Sequence, residues 1–359
     1  SPRFERPRLV KAGLTADFDA ATVAVRGLRP GQRVYWRARV RRRRRTTVGP
    51  TRSFRVLPRA GARDRVRLAI GSCAQQFGGC FDEIAEREPD VFIWQGDLNY
   101  PDTMGPLAQT ESGYAGIWRD FLANPRLAPI LERGCFVAQR DDHDYGVQDA
   151  NATNLLAHGL APWDALMNDR TYLRFSAGLV DVWVLDQRRF KRPEGKTLLG
   201  AAQREWLLRT TAASRAPFKL ICSPCTLMPT GQGNARDGSW ANGYTAERDL
   251  LLAHLARVSG RALFVTGDTH FTMVYDRDGV FEARPCPLGI PTPHDITLSR
   301  PAAARELRAV PGVTYADDTI SHVALVDVRG EGAGAVLELA LVREDGRTAY
   351  RKRFTQPMR

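Results

Sequence analysis

Residues that commonly bind metal ions follow three short apolar segments of the chain. They are Cys73 after residues 67–70, Asp97 and Tyr100 after residues 90–95, and Asp268 and His270 after residues 263–266. A fourth apolar segment, residues 135–138, leads into an Arg-Asp-Asp-His-Asp run at residues 140–144. The carboxyl ends of neighbouring strands form the ligand crevice of an open α/β sheet. The pattern therefore predicts that these side chains meet at one metal site, as in a metalloenzyme.

The residue types suit a strongly Lewis-acidic metal. The Asp97 carboxylate is a hard oxygen ligand, the Tyr100 phenol binds as phenolate with ferric iron as the best candidate, and Cys73 would add a thiolate. Each has an ordinary alternative, since Asp97 also suits a turn after glycine and a lone His270 is more often structural. The equivalent positions of all five residues after strands favour the metal site.

The elements that position these residues form an alternating pattern from residue 65 onward. Helices are expected at residues 114–122, 201–213 and 245–258, and further strands at residues 181–185, 218–222, 322–328 and 336–342. Alternation of strands and helices is typical of an α/β fold. We predict that class, with a β-rich carboxyl-terminal part closing the sheet edges.

The amino-terminal part has a different pattern. Residues 22–26, 34–40 and 51–56 alternate apolar and polar side chains, as half-buried strands do, and residues 57–61 read as a linker. We predict a small β-sandwich-like domain over residues 1–58, resembling a fibronectin-type fold but short for one, followed by a catalytic domain over residues 59–359.

Composition bounds the remaining classes of function. The 359 residues are 43% apolar, and no run of 18 or more uncharged apolar residues predicts a transmembrane helix. Residues 1–8 show no signal-peptide pattern. The net charge of +12 is mostly arginine, and residues 41–45 are five arginines, read as a solvated loop between two strands. No nucleic-acid-binding motif accompanies this charge, so specific nucleic-acid recognition is not expected.

The six cysteines and the oligomeric state stay open at this stage. A disulfide between Cys222 and Cys225, or between Cys73 and Cys80, is compatible with their spacing. A redox role for the Cys-Ser-Pro-Cys segment is weakly supported, because no thioredoxin-like pattern surrounds it.

Six motifs in order carry a resemblance to a known family. They are Gly71-Ser72-Cys73, Gly96-Asp97 with Tyr100, Asp141-Asp142-His143-Asp144, Leu185-Asp186-Gln187-Arg188, Leu199-Gly200 with Gln203, Trp206 and Leu207, and Gly267-Asp268 with His270. In this order they resemble the alkaline phosphatase D (PhoD-like) family of metallophosphoesterases. The resemblance covers nearly the whole chain.

The resemblance implies a fold, a metal site and an export route. It implies a two-layered αββα sandwich, and a site of Fe(III) and Ca(II) in which Cys73, Asp97, Tyr100, Asp268 and His270 are ligands and Asp97 bridges. It places Asp142 and His143 near the substrate phosphate and suggests Arg188 as a clamp on phosphate oxygens. A surface salt bridge beside Asp186 is the other reading of Arg188. Export to the periplasm, cell envelope or extracellular space is also implied.

One position departs from the family pattern. The family commonly has an asparagine ligand a few residues after Asp-Asp-His-Asp, and this chain has Gln148 there. Glutamine keeps the amide oxygen on a longer side chain, so Gln148 is expected to hold its ion more loosely, with Asp149 or Asn151 as substitutes.

The expected function is metal-dependent hydrolysis of phosphate esters in small molecules or phosphorylated polymers. Bound metals would activate a water, and His143, positioned by Asp144 or Asp142, would protonate the leaving alkoxide. A buried structural role for His143 is the alternative. The rival functions are a catalytically degenerate relative that binds anionic polymers through its arginines, and a different metal-dependent hydrolase on the same scaffold.

Overall fold

The structure is a computed structural model that describes residues 23–75, 77–167, 170–229, 238–289 and 303–358. The strands in these ranges are β1 (Arg33–Trp36), β2 (Arg39–Arg42), β3 (Arg45–Val48), β4 (Arg52–Arg55), β5 (Val66–Gly71), β6 (Val91–Gln95), β7 (Cys135–Gln139), β8 (Leu173–Ala177), β9 (Val180–Val184), β10 (Phe218–Ser223), β11 (Arg261–Thr266), β12 (Thr272–Arg277), β13 (Val280–Arg284), β14 (Val313–Asp317), β15 (His322–Glu331), β16 (Gly334–Arg343) and β17 (Thr348–Pro357). The α-helices are α1 (Gly79–Arg87), α2 (Glu111–Leu122), α3 (Ala128–Arg133), α4 (Ala157–Leu166), α5 (Gly200–Ala213), α6 (Thr245–Leu255) and α7 (Ala303–Arg308).

Two large mixed sheets form the centre of the fold. One has six strands in the order β17-β16-β15-β5-β6-β7, and the other has seven in the order β14-β12-β13-β11-β10-β9-β8. Within them β5, β6 and β7 run parallel, as do β9, β10, β11 and β13. The predicted strands before the candidate ligands are therefore neighbours in parallel segments, and their carboxyl ends share one edge of each sheet.

The two sheets pack face to face through alternating side chains. In β5, Val66, Leu68 and Ile70 point into the apolar layer between the sheets, where they meet β9 and β10 residues such as Val182 and Leu220. The intervening Ala69 belongs to the apolar cluster on the other face. Alternate side chains of β5 thus point to opposite faces of the sheet, and both faces are apolar because the strand is buried on both sides.

Helices cover the outer faces of both sheets. Phe81 of α1 and Phe121 of α2 pack against Trp94 of β6 on the six-stranded sheet. Leu207 of α5 and Leu251 of α6 pack on the seven-stranded sheet. The arrangement confirms the predicted αββα sandwich.

The amino-terminal part differs from its prediction. The predicted strand at residues 34–40 is broken at Arg37 and Ala38 into β1 and β2, and residues 23–26 form no strand, while residue 22 lies outside the described residues. Two two-stranded sheets, β1-β4 and β2-β3, take the place of a larger β-sheet. The boundary between domains at residues 58 and 59 stays a prediction.

The arginine run at residues 41–45 is a hairpin rather than a loop. β2 and β3 pair antiparallel with Arg42 opposite Arg45, and Arg43 occupies the left-handed region at the turn with a φ of 50°. The alternating Arg-Val-Arg pattern before the turn explains the strand, since β-branched residues favour extended backbone.

No helix among the described residues is long and apolar enough to cross a membrane.

The close approach of β6 and β7 at their carboxyl ends predicts a strict requirement for glycine. Gly96 has a φ of +89°, and a Cβ added there would lie 2.6 Å from the Asp141 backbone nitrogen. We expect Gly96→Ala to lower the free energy of unfolding by about 2–5 kcal/mol, because a left-handed backbone and a steric overlap both cost energy. Urea unfolding measures this change.

Gly243 is the matched control, since it has the same φ of +89° and no atom within 4 Å of an added Cβ. Gly243→Ala should therefore show only the backbone cost of about 1–2 kcal/mol. Equal losses in the two variants would contradict the close-packing argument.

Candidate metal centre

The five predicted ligands share an unusual backbone conformation. The φ angle is 58° at Cys73, 57° at Asp97, 44° at Tyr100, 75° at Asp268 and 54° at His270. Residues other than glycine seldom adopt positive φ, and such strain concentrates at functional sites. The strand ends thus turn sharply where the side chains must point to one place.

Hydrogen bonds beyond the strands hold these turns. The Cys73 backbone N–H donates to the Gly96 carbonyl (3.0 Å), and the Ala74 N–H donates to the Asp97 carbonyl (3.1 Å). The buried Asp144 carboxylate accepts from the backbone N–H groups of Asp97 (2.7 Å), Leu98 (2.9 Å) and Asp141 (2.8 Å). Burial raises the pKa of Asp144 to about 7 although these three bonds lower it. The Asp144 carboxylate therefore holds the backbone of the loops in the site. It does not position the His143 ring.

Four of the predicted ligands converge. One ligand atom each of Cys73, Asp97 and His270 lies within 4.8 Å of the others. The Tyr100 hydroxyl lies 2.6 Å from His270 Nε2, and the Cys73 sulfur lies 3.5 Å from Asp97 Oδ2. Thiolate, carboxylate, imidazole and phenolate donors can thus meet at one ion.

A second group of potential ligands adjoins the first. Asp97, Asp142 and His143 each bring one ligand atom within 4.8 Å of the others. Asp97 belongs to both groups, which is the position that a bridging carboxylate would need.

Buried carboxylate oxygens without hydrogen-bond partners indicate whether the site suits a cation. Asp97 Oδ1, Asp141 Oδ2 and Asp142 Oδ1 are buried without a hydrogen-bond partner among the described residues. Burial and then the charges of Asp142 and Asp141 raise the pKa of Asp97 well above its usual range. Buried oxygens of like charge are costly unless a cation pairs with them. The donor set therefore fits bound metal ions.

Arg188 lies behind the carboxylates, and its side chain has no exposed surface. Its guanidinium contacts Asp141, lies 2.9 Å from Asp268 Oδ1 and lies 3.7 Å from Asp142 Oδ1. These three aspartates form a third group of potential ligands, which the guanidinium already pairs. The predicted phosphate clamp stays a prediction, although Arg188 is buried and paired with carboxylates. A brace for the ligands fits this geometry.

The other reading of Arg188, a surface salt bridge beside Asp186, is right about ion pairing, but the side chain is buried and its partners are Asp141 and Asp268. The Asp186 carboxylate instead accepts a hydrogen bond from the Tyr145 hydroxyl and one from the Arg189 backbone N–H.

His143 is oriented by a residue that the sequence analysis missed. His143 Nδ1 lies 2.8 Å from Asp102 Oδ2, so neither Asp144 nor Asp142 positions the ring as predicted. Burial lowers the pKa of His143, but the hydrogen bond with Asp102 and the charge of Asp142 outweigh it and raise the pKa to about 9. With Nδ1 engaged, Nε2 is the nitrogen available to a substrate. The signal for Asp102 was its place two residues after Tyr100.

Gln148 lies at the edge of the site. Its Nε2 donates to Asp142 Oδ2 (3.3 Å), beside the Asp149 backbone N–H, which donates to the same oxygen (2.7 Å). Gln148 therefore reaches the second group of ligands. Its role as a ligand through Oε1 stays a prediction.

All six cysteines are free thiols in this structure, so neither disulfide that the spacing allows is formed.

Comparisons with solved structures show which proteins this fold resembles. The structure resembles that of PhoD with a TM-score of 0.70 and 16% identity, over 94% of this chain and 77% of PhoD. It resembles the purple acid phosphatase PPD1 from yellow lupin (Lupinus luteus) seeds with a TM-score of 0.68 and 15% identity, over 94% of this chain and 62% of that enzyme. It resembles GAP50, the anchor in the inner membrane complex of Plasmodium, with a TM-score of 0.53 and 12% identity, over 82% of this chain and 89% of that protein. The fold is therefore of the metallophosphoesterase type.

The sequence gives the narrower assignment. The family model of PhoD-like phosphatases matches residues 158–286, which include Arg188, Asp268 and His270. Over those residues the match confirms the resemblance to PhoD-like phosphatases that the motifs indicate, and it supports assignment as a phosphoric ester hydrolase. No curated protein matches the chain significantly.

The position of Arg188 generates a prediction that separates a brace from a clamp. Arg188→Met leaves buried carboxylates unpaired, and we expect a loss of about 3–5 kcal/mol in the free energy of unfolding of the metal-free protein. The exposed Arg209 on α5 supplies the control, since Arg209→Met should change stability by less than about 0.5 kcal/mol. Unchanged stability with a raised KM for a phosphoester would support the clamp instead.

The pairing of Asp102 with His143 predicts an effect that depends on the leaving group. Asp102→Asn should lower kcat about 10²-fold on an alkyl phosphate, because general-acid catalysis depends on an oriented, protonated imidazole. The loss on p-nitrophenyl phosphate should be smaller, since that leaving group needs less proton transfer. Asp120→Asn, at an exposed position of α2, is the control. Equal losses on both substrates would argue against this role of the pair.

Proposed function

We propose that this protein hydrolyses phosphate monoesters, diesters or both at a centre that contains Fe(III) and Ca(II). The observation that carries the proposal is the convergence of Cys73, Asp97, Tyr100 and His270 from positive-φ turns at three strand ends. A phenolate beside a thiolate favours ferric iron, whereas carboxylate and amide oxygens favour calcium. The proposed iron ligands are Cys73, Asp97, Tyr100 and His270.

The second ion would lie among oxygen ligands. Asp97, Asp142 and Asp268 are proposed to hold it, with Gln148 contributing its amide oxygen. When bound, the metals would lower the pKa of a coordinated water and neutralise charge on the phosphoryl group.

The side chains of the chain have separate tasks in the proposed reaction. His143 holds a proton on Nε2 for the leaving oxygen, and Asp102 keeps the ring oriented through Nδ1. Arg188 holds Asp141 and Asp268 in place, and Asp144 fixes the turn after β6. The ligand geometry is thereby set before a substrate arrives, as electrostatic stabilisation of a phosphoryl transition state requires.

The substrate class and the compartment rest on resemblance. We propose a small phosphate ester or a phosphorylated polymer as substrate, and a location in the periplasm, the cell envelope or outside the cell.

A catalytically degenerate protein that binds anionic polymers is the second candidate. The observation in its favour is the exposed basic hairpin of β2 and β3, which includes Arg41, Arg43, Arg44 and Arg45. A basic surface attracts polyanions whether or not the site is active. Turnover separates the two candidates, because the hairpin offers no catalytic group.

The proposed function predicts a coloured iron protein. Purified protein should contain about one equivalent of iron with calcium and show a tyrosinate-to-iron absorption band, measured by elemental analysis and visible spectroscopy. Tyr100→Phe should remove the band, and Asp97→Asn should lower hydrolysis of p-nitrophenyl phosphate and bis-p-nitrophenyl phosphate by at least about 10³-fold.

The exposed Tyr35 gives a matched control, since Tyr35→Phe should leave both the band and the rate unchanged. The relative rates on the two substrates would assign monoester or diester preference. Colourless protein that gains neither metal nor activity on reconstitution would refute the proposal and favour the polyanion-binding candidate.

A further inference from the structure

A second thiol lies beside the proposed iron ligand Cys73. Cys286, which follows β13, forms a buried cluster with Cys73 and Tyr100, and both thiols are fully buried. The Cys73 thiol also lies 3.4 Å from the Ser72 hydroxyl and 3.5 Å from Asp97 Oδ2. The thiol of Cys286 therefore faces the metal centre from the side of Cys73.

The backbone keeps the two cysteines together. The Leu288 N–H donates to the carbonyls of Ser72 (2.9 Å) and Cys73 (3.1 Å), and Ala74 forms a parallel bridge with Gly289. The segment after β5 and the segment after β13 thus run side by side. Their proximity does not depend on side-chain rotamers alone.

Cys286 adjoins the potential ligands without belonging to them. The groups of ligand atoms that lie within 4.8 Å of one another include Cys73, Asp97 and His270 but not Cys286. A Cys286 that served the metal directly would be expected inside such a group. Its contact with the Cys73 thiol is therefore the interaction that needs an explanation.

We propose that Cys73 and Cys286 form a reversible disulfide that takes the Cys73 sulfur away from the metal. Only the consequence for metal binding rests on the proposed function, since the disulfide requires no metal. A bond would need the sulfurs to approach to about 2.05 Å, a local movement for side chains already in contact.

The oxidant that we propose is a peroxide, which is small enough to enter a buried site. One thiol is oxidised by hydrogen peroxide to a sulfenic acid with release of one water. The second thiol then attacks the sulfenic sulfur, forms the disulfide and releases a second water. Two electrons pass from the two thiols to the peroxide, and a dithiol reductant reverses the change by thiol–disulfide exchange.

The same chain supplies a control pair of thiols. Cys222 and Cys225 have the spacing of a redox motif, yet Cys222 belongs to the apolar layer between the sheets and Cys225 to the cluster on the outer face of the seven-stranded sheet. The proposal therefore predicts a bond between residues distant in sequence and none within the Cys-Ser-Pro-Cys segment.

The test is oxidation of metal-free protein by hydrogen peroxide, alkylation in denaturant, and mass mapping of the unreduced digest. We expect free thiols to fall from six to four, with one cross-linked peptide pair that contains Cys73 and Cys286. Cys73 and Cys80 share a tryptic peptide because no lysine or arginine separates them. A Cys80→Ser variant should keep the cross-link, and Cys286→Ser should lose it.

The consequence is measured separately as iron binding, by competition with a chelator. Oxidised protein should bind iron at least about tenfold more weakly than reduced protein, and dithiothreitol should restore binding. The Cys286→Ser variant cannot form the bond, so peroxide treatment should not produce in it the cross-linked peptide pair that accompanies the loss of iron binding in the wild type.

Two outcomes would overturn separate parts of the inference. A cross-link within Cys222 and Cys225, or none at all in folded protein, would refute the disulfide. A Cys73–Cys286 bond that leaves iron affinity unchanged would keep the disulfide but refute Cys73 as a ligand, and so would count against the proposed iron site rather than against the thiol pair.

Discussion

The repulsion among buried carboxylates is the constraint on which this structure depends. Asp97, Asp141, Asp142 and Asp268 lie at the carboxyl ends of strands from both sheets, and the charges of the other aspartates raise the pKa of Asp97 beyond the effect of burial. The Arg188 guanidinium offsets part of this repulsion from behind. One oxygen each of Asp97, Asp141 and Asp142 is buried without a hydrogen-bond partner among the described residues, so a bound cation would stabilise the cluster further.

Apolar burial in the sandwich offsets the free-energy cost of the strained backbone at the site. Left-handed backbone at the five predicted ligands that follow β5, β6 and β11 costs on the order of 1–2 kcal/mol at each position. The apolar layer between the sheets and the aromatic cluster around Trp94 bury enough surface to hold these turns in one conformation. Asp144 connects the segment after β6 with the segment after β7, because its carboxylate accepts hydrogen bonds from the backbone N–H groups of Asp97 and Asp141.

The sequence predicted what depends on local pattern. Apolar runs located β5, β6, β7 and β11 within one or two residues, and ligand types after them predicted the convergence of Cys73, Asp97, Tyr100 and His270. Contacts between distant residues carry no local pattern, so Asp102 and Cys286 were missed. The burial of Arg188 was not predicted for the same reason, since burial of an arginine depends on which carboxylates the fold brings together.

Burial also distinguishes residues that act on a substrate from residues that hold others in place. Arg188 has no exposed surface and three carboxylate neighbours, so its positive charge is already paired before any phosphate approaches. His143 keeps one ring nitrogen outside its pair with Asp102, and the pKa of the ring is raised to about 9 by that pair and by the charge of Asp142. This difference in geometry is the reason for assigning the leaving group to His143 and the positioning of the ligands to Arg188 in the proposed reaction.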